Sequence, residues 1–406
     1  MGFHENKYRT IPNQTENCPI FTRNENGLKG ISVVIVSFNA PHFLQLCLES
    51  VSAALEGIDG EIIVVDNASN EECVPMIRSN FPEVRLIVNE ENFGFSRASN
   101  QGAKVAEGTY LLILNPDVIL PEESLKNALT YARAHPGMGA LGCRFIDGSG
   151  KLLPECKRNL PGIQAATAKL FGLDRGYYAT QLEEKDTGEV EILTGAFMFL
   201  KRELFQELGG FDESFFMFGE DIDLSYRILI SGYKNRYLGD LTILHFKGES
   251  SAKDISYLKN FYGALKIFYV KHFRNNALGR ALLQGVVQGA ILLRSLQAGN
   301  RGAPEKSLPD PEAPAIYLGD REEVYSALKE NLGASLKGKA LNLNEVSGTS
   351  AKRVFLDSSS LSFTQIIQAI ELLPASISKR IVSGKGDFYS GSDSSTNRGV
   401  SEHLRQ

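Results

Sequence analysis

The chain is short of several residue types that mark particular protein classes. Its 406 residues include no tryptophan, five methionines and five cysteines. No two cysteines stand at the roughly two- to four-residue spacing of a structural zinc site, and their scatter does not suggest a disulfide framework. This usage is typical of a protein in a reducing cytoplasm. The cysteines are Cys18, Cys47, Cys73, Cys143 and Cys156.

Long apolar runs are also missing. Residues 1–28 are polar and rich in asparagine, without the apolar core of a signal peptide, so export by that route is not expected. The nearest approach to a membrane span, residues 281–293, is interrupted by two glutamines. As a helix it would cover roughly 20 Å of a hydrocarbon core that is about 30 Å thick. Because arginines flank it, it either lies on an anionic membrane surface or packs on the protein's own core.

An excess of positive charge is the third absence. The 43 Lys and Arg residues face 48 Asp and Glu residues, which gives a formal net charge of -5. This balance argues against a general nucleic-acid binder, because such a protein needs a basic surface. The hydrophobic share of 43% and the charged share of 22% are those of a soluble globular protein. The length predicts two or three domains.

What the chain does contain is an alternation of strand-like and helix-like patterns. From residue 31 to about residue 246 this alternation predicts an α/β fold with a mixed, mostly parallel sheet flanked by helices. Within it we predict a capping box over residues 69–72 and a strand over residues 191–200. The predicted organisation is a polar N-terminal extension (1–28), an α/β domain (29–250), a helical, membrane-proximal segment with helices at 257–269 and 279–296 (251–298), a linker (299–315) and a small α/β module of unassigned role (316–406).

Polar residues follow three of the predicted strands. Ser37 and Asn39 follow the first, Asp66 follows the second, and Asn115 and Asp117 follow a third. Ligands of open α/β sheets bind at the carboxyl ends of the strands, so these residues form one candidate rim. Asparagine and aspartate are also ordinary turn residues, and any one of these sites alone would be a weak signal.

A second acidic site lies far downstream. Glu220, Asp221 and Asp223 fall within four residues, after an aromatic stretch and ahead of a helical pattern. If a helix begins near Glu220, then Glu220 and Asp223 share a face and Asp221 points elsewhere. Acids in a first helical turn are also favoured by the helix dipole alone. The combination with the strand-end acids is what makes this cluster a candidate catalytic site.

In this order, the motifs resemble glycosyltransferase family 2, and within it the bacterial rhamnosyltransferase-like branch. The resemblance covers about residues 30–250, and the ordered set is far more specific than any one piece. It implies the GT-A fold, a nucleotide-sugar donor and inversion at the sugar carbon, and it is silent about residues 300–406. The matching stretches are residues 36–39, 64–69, 92–102, 115–118, 194–196, 210–213 and 219–224.

The resemblance also implies roles for individual residues. Asp221 corresponds to the base that takes the proton of the acceptor hydroxyl, and Glu220 would position the acceptor. Asp117 stands at the family's metal-binding acid, with His245 as a further ligand of Mg²⁺ or Mn²⁺. Asn115 replaces the first acid of the family's two-carboxylate pattern, so metal affinity should be reduced. The donor-binding residues implied are Ser37, Asn39, Asp66, Asn92, Gly94, Arg97, Asn100 and Asn115.

Several alternatives stay open at this point. The favoured donor is dTDP-rhamnose, but a UDP- or GDP-sugar would fit the same motifs. The acceptor is expected to be a cell-surface polysaccharide or a lipid-linked glycan, which predicts a cytoplasmic protein with peripheral contact to the inner membrane. A nucleotidyltransferase would need a glycine-rich, basic phosphate loop after the first strand, which residues 37–41 lack. A third alternative is a module that binds sugar nucleotides or glycans without catalysis. It would be favoured if replacement of Asp221 by asparagine left turnover unchanged.

Overall fold

A computed structural model describes residues 9–10, 30–70, 72–160, 176–247, 255–273, 310–395 and 398–404. The predicted helix at 279–296, most of the N-terminal extension and most of the linker lie outside these residues. Within the described part of the chain, no helix combines the length and the apolar character that crossing a membrane requires.

Strands and helices alternate over the described residues between 31 and 246, as the sequence pattern predicts. The strands are β1 Arg9–Thr10, β2 Ile31–Ser37, β3 Gly60–Asp66, β4 Arg85–Val88, β5 Tyr110–Leu114, β6 Val118–Ile119, β7 Met138–Ile146, β8 Gly188–Glu189, β9 Phe197–Lys201 and β10 Lys234–His245. The helices are α1 Pro41–Ala54, α2 Cys73–Asn80, α3 Phe95–Val105, α4 Ser124–Ala134, α5 Arg202–Glu207, α6 Glu220–Ile230 and α7 Ile255–His272, with a 3-10 turn at Pro154–Cys156.

These strands form one sheet in the order β1-β4-β3-β2-β5-β9-β7-β10-β6, with β8 paired separately to β10. The run β4-β3-β2-β5 is parallel, which matches its continuous apolar sequence. β9 joins the two halves by antiparallel pairing with both β5 and β7. The predicted α/β domain with a mixed sheet flanked by helices is confirmed.

Residues 315–403 form the smaller α/β unit that the second alternation predicts. Its strands are β11 Ala315–Leu318, β12 Leu336–Ala340, β13 Arg353–Asp357, β14 Ser378–Val382, β15 Phe388–Gly391 and β16 Val400–His403. Its helices are α8 Glu322–Leu332, α9 Leu343–Ser347 and α10 Phe363–Leu372, with a 3-10 turn at Gly333–Ser335. The strand order is β12-β11-β13-β14-β15-β16, parallel from β12 to β14 and antiparallel thereafter.

The small module shares a hydrophobic core with the first domain. Phe43 from α1 and Phe246 after β10 are buried in one apolar cluster with Ile366 and Ile370 of α10. Polar contacts extend this interface, because the Glu122 carboxylate accepts hydrogen bonds from the first backbone N–H groups of α10. The module is therefore packed on the first domain as a continuation of its fold.

Two local predictions are wrong. Helix α2 begins at Cys73, and neither Ser69 nor any other side chain caps it. The Ser69 hydroxyl instead accepts a hydrogen bond from the Asn39 backbone N–H at 3.0 Å, so a contact across 30 residues replaces the local capping box. The strand predicted over residues 191–200 begins only at Phe197, because the preceding residues form single bridges and turns around Arg158 and Ile192.

Candidate active site

The carboxyl ends of β2 and β3 place two predicted donor-binding residues side by side. Ser37 and Asp66 are register partners in the parallel pair. Both side chains are buried, and both the Ser37 hydroxyl and Asp66 Oδ1 lack a hydrogen-bond partner among the described residues. Burial raises the pKa of Asp66. Buried polar atoms without partners are costly, and a polar ligand could satisfy them; donor binding at this end of the sheet stays a prediction.

The loop after β2 is tied to the loop after β3. Asn39 has a φ of 53°, in the left-handed region, and its Oδ1 accepts the Asn70 backbone N–H at 2.8 Å. The Ser69 backbone N–H in turn donates to Asp66 Oδ2 at 3.0 Å. These bonds fix Asn39 and Asp66 on one rim, as the sequence predicts, and a direct donor contact by either stays a prediction.

A cluster of side-chain amides shapes the loop that precedes α3. Asn67 donates to Asn92 Oδ1 at 2.8 Å, accepts from Asn89 at 3.0 Å, and accepts the Phe93 backbone N–H at 3.1 Å. Asn89 also bonds Gln101 at 2.9 Å. Asn67 and Gln101 lie in stretches that carry the family resemblance but have no predicted role, and Asn89 lies outside those stretches, because only the fold brings these amides together.

Gly94 and Arg97 occupy the start of α3. Gly94 has a φ of 81°, and a Cβ there would lie 2.3 Å from the Phe216 carbonyl oxygen. The close approach is therefore to the protein's own chain, just ahead of the acidic cluster. The Arg97 guanidinium stacks 4.0 Å from the centre of the Phe93 ring. A donor contact by either residue stays a prediction.

Asn100, also predicted to bind the donor, has a structural task. Its Nδ2 donates to the Phe211 carbonyl at 2.8 Å and to Glu213 at 3.1 Å, and its Oδ1 accepts the Phe211 backbone N–H at 2.9 Å. The side chain thus holds the turn around residue 211. A donor contact by Asn100 stays a prediction that would have to compete with these three bonds.

The predicted metal ligands meet at the junction of β5, β6 and β10. Asp117 Oδ1 lies 3.3 Å from His245 Nε2, and the Asn115 amide lies 3.5 Å from the same nitrogen. Both Asp117 and His245 are buried, and His245 Nδ1 has no partner among the described residues. A carboxylate oxygen and an imidazole nitrogen at this separation fit a divalent cation. The described residues contain no cluster of three or more such ligands.

The acidic cluster opens a helix that begins at Glu220, as predicted. Two left-handed residues set its entry, Phe218 with a φ of 70° and Gly219 with a φ of 80°. Asp221 Oδ2 accepts hydrogen bonds from Arg158 Nη2 at 2.6 Å and from the Gly195 backbone N–H at 3.3 Å. Asp221 Oδ1 accepts the Ile222 backbone N–H at 2.8 Å. Every oxygen of this carboxylate is therefore engaged.

Glu220 stands in contrast to its neighbour. It is 6% exposed, and its Oε2 has no hydrogen-bond partner among the described residues. Burial first, and the Asp221 charge second, raise the pKa of Glu220 to about 8. A buried carboxyl with a free oxygen and a pKa near neutrality is typical of a site that exchanges protons.

Asp223 is held by ion pairs inside the fold. It is fully buried, with Oδ2 bonded to Arg227 at 2.7 Å. Its Oδ1 lies 2.8 Å from Lys271 and 2.7 Å from His272, both at the end of α7. Asp223 thus anchors α7 to α6.

Comparison with known families identifies the domain. The sequence profile described as glycosyl transferase family 2 matches residues 32–209. The chain carries a glycosyltransferase family 2 domain. The profile match and the relatives described below support a transferase that resembles rhamnosyltransferases, and the predicted GT-A fold agrees with the mixed sheet described above. The match to the profile ends before the acidic cluster.

Two curated relatives extend the likeness. N-acetylglucosaminyl-diphospho-decaprenol L-rhamnosyltransferase of Mycobacterium tuberculosis is 28% identical over 284 residues, which cover 65% of this chain and 91% of that protein. Rhamnosyltransferase WbbL of Escherichia coli strain K12 is 25% identical over 224 residues, 53% of this chain and 83% of that protein.

Solved structures are more distant. A mannosyltransferase from Pyrobaculum calidifontis, in complex with GDP-Man and Mn²⁺, is 17% identical with a TM-score of 0.45, covering 71% of this chain and 81% of that one. TarS 1–349 of S. aureus is 16% identical with a TM-score of 0.43, covering 69% and 76%. TM-scores below 0.5 are too low to carry an argument about this chain.

Proposed function

We propose that this protein is an inverting glycosyltransferase that moves rhamnose from dTDP-rhamnose to a lipid-linked glycan or a cell-surface polysaccharide. The observation that carries the proposal is the pairing of two features. Unpartnered polar atoms of Ser37 and Asp66 mark a ligand site at the strand ends, and the buried carboxyls of Glu220 and Asp221 lie at the start of α6. A donor pocket and a proton acceptor are the two parts that such a transfer needs.

The reaction is a single displacement. The acceptor hydroxyl loses its proton to a carboxylate of the Glu220–Asp221 pair, with Asp221 as the base that the family resemblance implies. The acceptor oxygen forms a bond to the anomeric carbon as the bond to the diphosphate breaks. The electron pair of that bond leaves with the nucleotide diphosphate, and the configuration of the sugar carbon inverts.

Asp117 and His245 are the residues that would hold a divalent cation, Mg²⁺ or Mn²⁺. Bound there, the cation would neutralise charge on the departing diphosphate. His245 Nδ1 is buried without a partner, and Asn115 contributes only a neutral amide beside Nε2. We propose that binding of the cation depends on the donor's diphosphate for further oxygen ligands.

The relatives support the proposed donor and acceptor. The two relatives described above are both rhamnosyltransferases by name, and one acts on an N-acetylglucosaminyl-diphospho-decaprenol. We propose an acceptor of the same class, a sugar diphosphate on a polyprenyl chain, and peripheral contact with the cytoplasmic face of the inner membrane. A UDP- or GDP-sugar is the alternative donor. A methyl or a hydroxyl on the donor sugar is distinguished by individual contacts in the pocket, and the family motifs are the same for these donors.

The test is thermal stabilisation against dTDP-rhamnose, UDP-sugars and GDP-sugars, each with and without Mg²⁺ or Mn²⁺. A ligand at about a hundred times its dissociation constant adds roughly 2.7 kcal/mol to the stability of the folded state. We expect a metal-dependent shift with dTDP-rhamnose, which Asp117→Asn reduces. The exposed Asp240, on the same strand as His245, supplies the control variant Asp240→Asn.

A shift with a UDP- or GDP-sugar alone would keep the transferase and replace the donor. No shift with any donor would contradict the donor site at the strand ends. Transfer is then measured with dTDP-rhamnose and an N-acetylglucosaminyl-diphospho-polyprenol acceptor.

A further inference from the structure

Arg158 is a buried cation beside the candidate base, and it lies outside every motif of the family resemblance. Its main chain is fixed by a pair of backbone hydrogen bonds with Ile192, both at 3.0 Å. Its Nη2 donates to the Leu193 carbonyl at 2.7 Å and to Asp221 Oδ2 at 2.6 Å. The guanidinium therefore enters the site from a rigid position.

The pair of Arg158 and Asp221 is closed to water. The side chains are 8% and 10% exposed. Burial acts against the charge of Arg158, but the Asp221 carboxylate more than offsets this, so the pKa of Arg158 is raised. A buried ion pair gives little net stability against apolar residues of the same size, so its retention calls for another explanation.

The ion pair gives the two adjacent carboxyls different hydrogen-bonding surroundings. Arg158 and the Gly195 N–H hold Asp221 Oδ2, whereas Glu220 Oε2 has no partner among the described residues. The charged groups that act on this pair are Arg158, Asp223 from the same helix, and Tyr177, which bonds Arg158. Arg158 is the cation among them, and its charge acts to lower the pKa of Glu220.

We propose that Arg158 is a positioning residue of the transfer reaction, which fixes the Asp221 carboxylate in one orientation. This role rests on the proposed function. Catalytic groups must be held to within a fraction of an ångström, and a displacement of about 1 Å costs about a hundredfold in rate. A guanidinium with its main chain fixed in a bridge supplies that precision from outside the acidic motif.

Arg144 provides a matched control. It is equally buried, and its guanidinium pairs with Glu184 at 3.2 Å and with Glu371 at 3.0 Å, at the contact with the C-terminal module. Loss of either arginine removes a buried charge that carboxylates compensate. Only loss of Arg158 changes the groups that handle the proton.

The experiment compares Arg158→Met, Arg158→Lys and Arg144→Met in transfer from dTDP-rhamnose to N-acetylglucosaminyl-diphospho-polyprenol, across pH. We expect Arg158→Met to lower kcat about a hundredfold with little change in the KM for the donor. Because the Arg158 charge lowers the pKa of Glu220, its loss should move the limb of kcat/KM that Glu220 sets to higher pH. Arg158→Lys keeps the charge and should restore the position of the limb, with part of kcat.

Arg144→Met should lower stability while leaving the pH profile in place. If Arg158→Met changes only stability, as Arg144→Met does, the positioning role is wrong and Arg158 is a structural cation. Should Arg158→Met fail to fold, Arg158→Lys decides: an unchanged kcat and pH profile overturns the role, and a reduced kcat with the wild-type limb supports it. A wild-type protein that transfers no sugar from any donor would remove the proposed function itself, and the positioning role with it.

Discussion

Two sheets in this chain present the carboxyl ends of parallel strands, and they treat buried polar groups in opposite ways. At the ends of β2, β3 and β10, the atoms Ser37 Oγ, Asp66 Oδ1 and His245 Nδ1 are buried without a partner. At the end of β13, Asp357 is also fully buried, but both of its oxygens are bonded. Among the described residues, every buried side-chain nitrogen or oxygen without a hydrogen-bond partner belongs to the sequence range 37–245, and none belongs to the C-terminal module.

The C-terminal crevice is filled by the module's own side chains. Asp357 accepts hydrogen bonds from Arg321 Nε at 2.8 Å, from the Ser359 backbone N–H at 3.0 Å and from the Ser360 hydroxyl at 2.9 Å. The Tyr317 hydroxyl donates to it as well. By its position this crevice is where an open α/β sheet binds ligands. The oxygens of Asp357, however, are already bonded to groups of the module itself.

The difference shows that position alone does not make a binding site. Both crevices have an acid at a strand end, and the family 2 site is the one whose acids leave polar atoms open. Unpartnered buried groups cost stability, and a ligand that bonds them recovers that cost. The module's network stabilises its fold instead, which is consistent with a structural extension of the transferase domain.

The largest expected effect is a loss of sugar transfer on substitution at the family 2 site, which distinguishes that site from the crevice of the C-terminal module. Asp221→Asn should lower the rate of sugar transfer by about 10²- to 10⁴-fold, because the amide cannot accept the acceptor's proton. Donor binding should persist, and thermal stabilisation by dTDP-rhamnose measures it. Transfer at the wild-type rate would contradict a catalytic role and favour a protein that only binds sugar nucleotides.

The second prediction makes the same change in the module. Asp357→Asn leaves the Arg321 guanidinium without its counter-charge, and we expect the free energy of unfolding to fall by about 3 kcal/mol. Transfer by the folded protein should be unchanged. Urea denaturation measures the effect, with the exposed Asp320→Asn as the control. A loss of transfer without a loss of stability would give the module's crevice a direct role in catalysis.

A third prediction concerns the pH dependence of stability, where the two acids act in opposite directions. Because the folded-state pKa of Glu220 is raised to about 8, the folded protein binds a proton there that the unfolded chain releases. Its contribution to stability is therefore complete at low pH and is lost as the pH rises from about 4.5 to 8. The pKa of Asp357 is lowered by its partners, so its contribution is lost as the pH falls.

Glu220→Gln should flatten the decline of stability between pH 5 and pH 8, by up to about 1.4 kcal/mol per pH unit. Thermal denaturation across this range measures it, with wild type and Asp357→Asn in parallel. If the stability of Glu220→Gln changes with pH as steeply as that of the wild type between pH 5 and pH 8, Glu220 is ionised in the folded protein.

The smallest effect is expected at the contact between the two regions. Glu122 caps α10 from outside the module, through the Phe363 and Thr364 backbone N–H groups at 2.5 and 3.0 Å. Glu122→Ala should cost about 1 kcal/mol, as for other caps of helix N-termini. The neighbouring Glu123→Ala, exposed and paired only with Lys126 in the structure, is the control in thermal denaturation. Equal effects of the two would show that the cap contributes nothing to docking.

Local patterns in the sequence were enough for most of the elements. The alternation predicted to begin at residue 31 begins there, with β2, and the predicted α/β module at residues 316–406 contains helix α8 and parallel strands. These elements follow from apolar periodicity and from glycine and proline at their ends. The module strands β12, β15 and β16 were missed, because β12 carries two exposed lysines and β16 is polar.

The site was predictable only in part. Glu220, Asp221, Asp66 and Asp117 were found because acids at strand ends and at a helix start are local signals. Arg158 carried no such signal, since it meets Asp221 across 63 residues of sequence. The succession of strands and helices along the chain, the helix start at Glu220 and the resemblance to the family were determined by the sequence alone. Tertiary structure decided which carboxyl is anchored and which is left open, because hydrogen-bond partners are chosen among groups that only folding brings within about 3 Å.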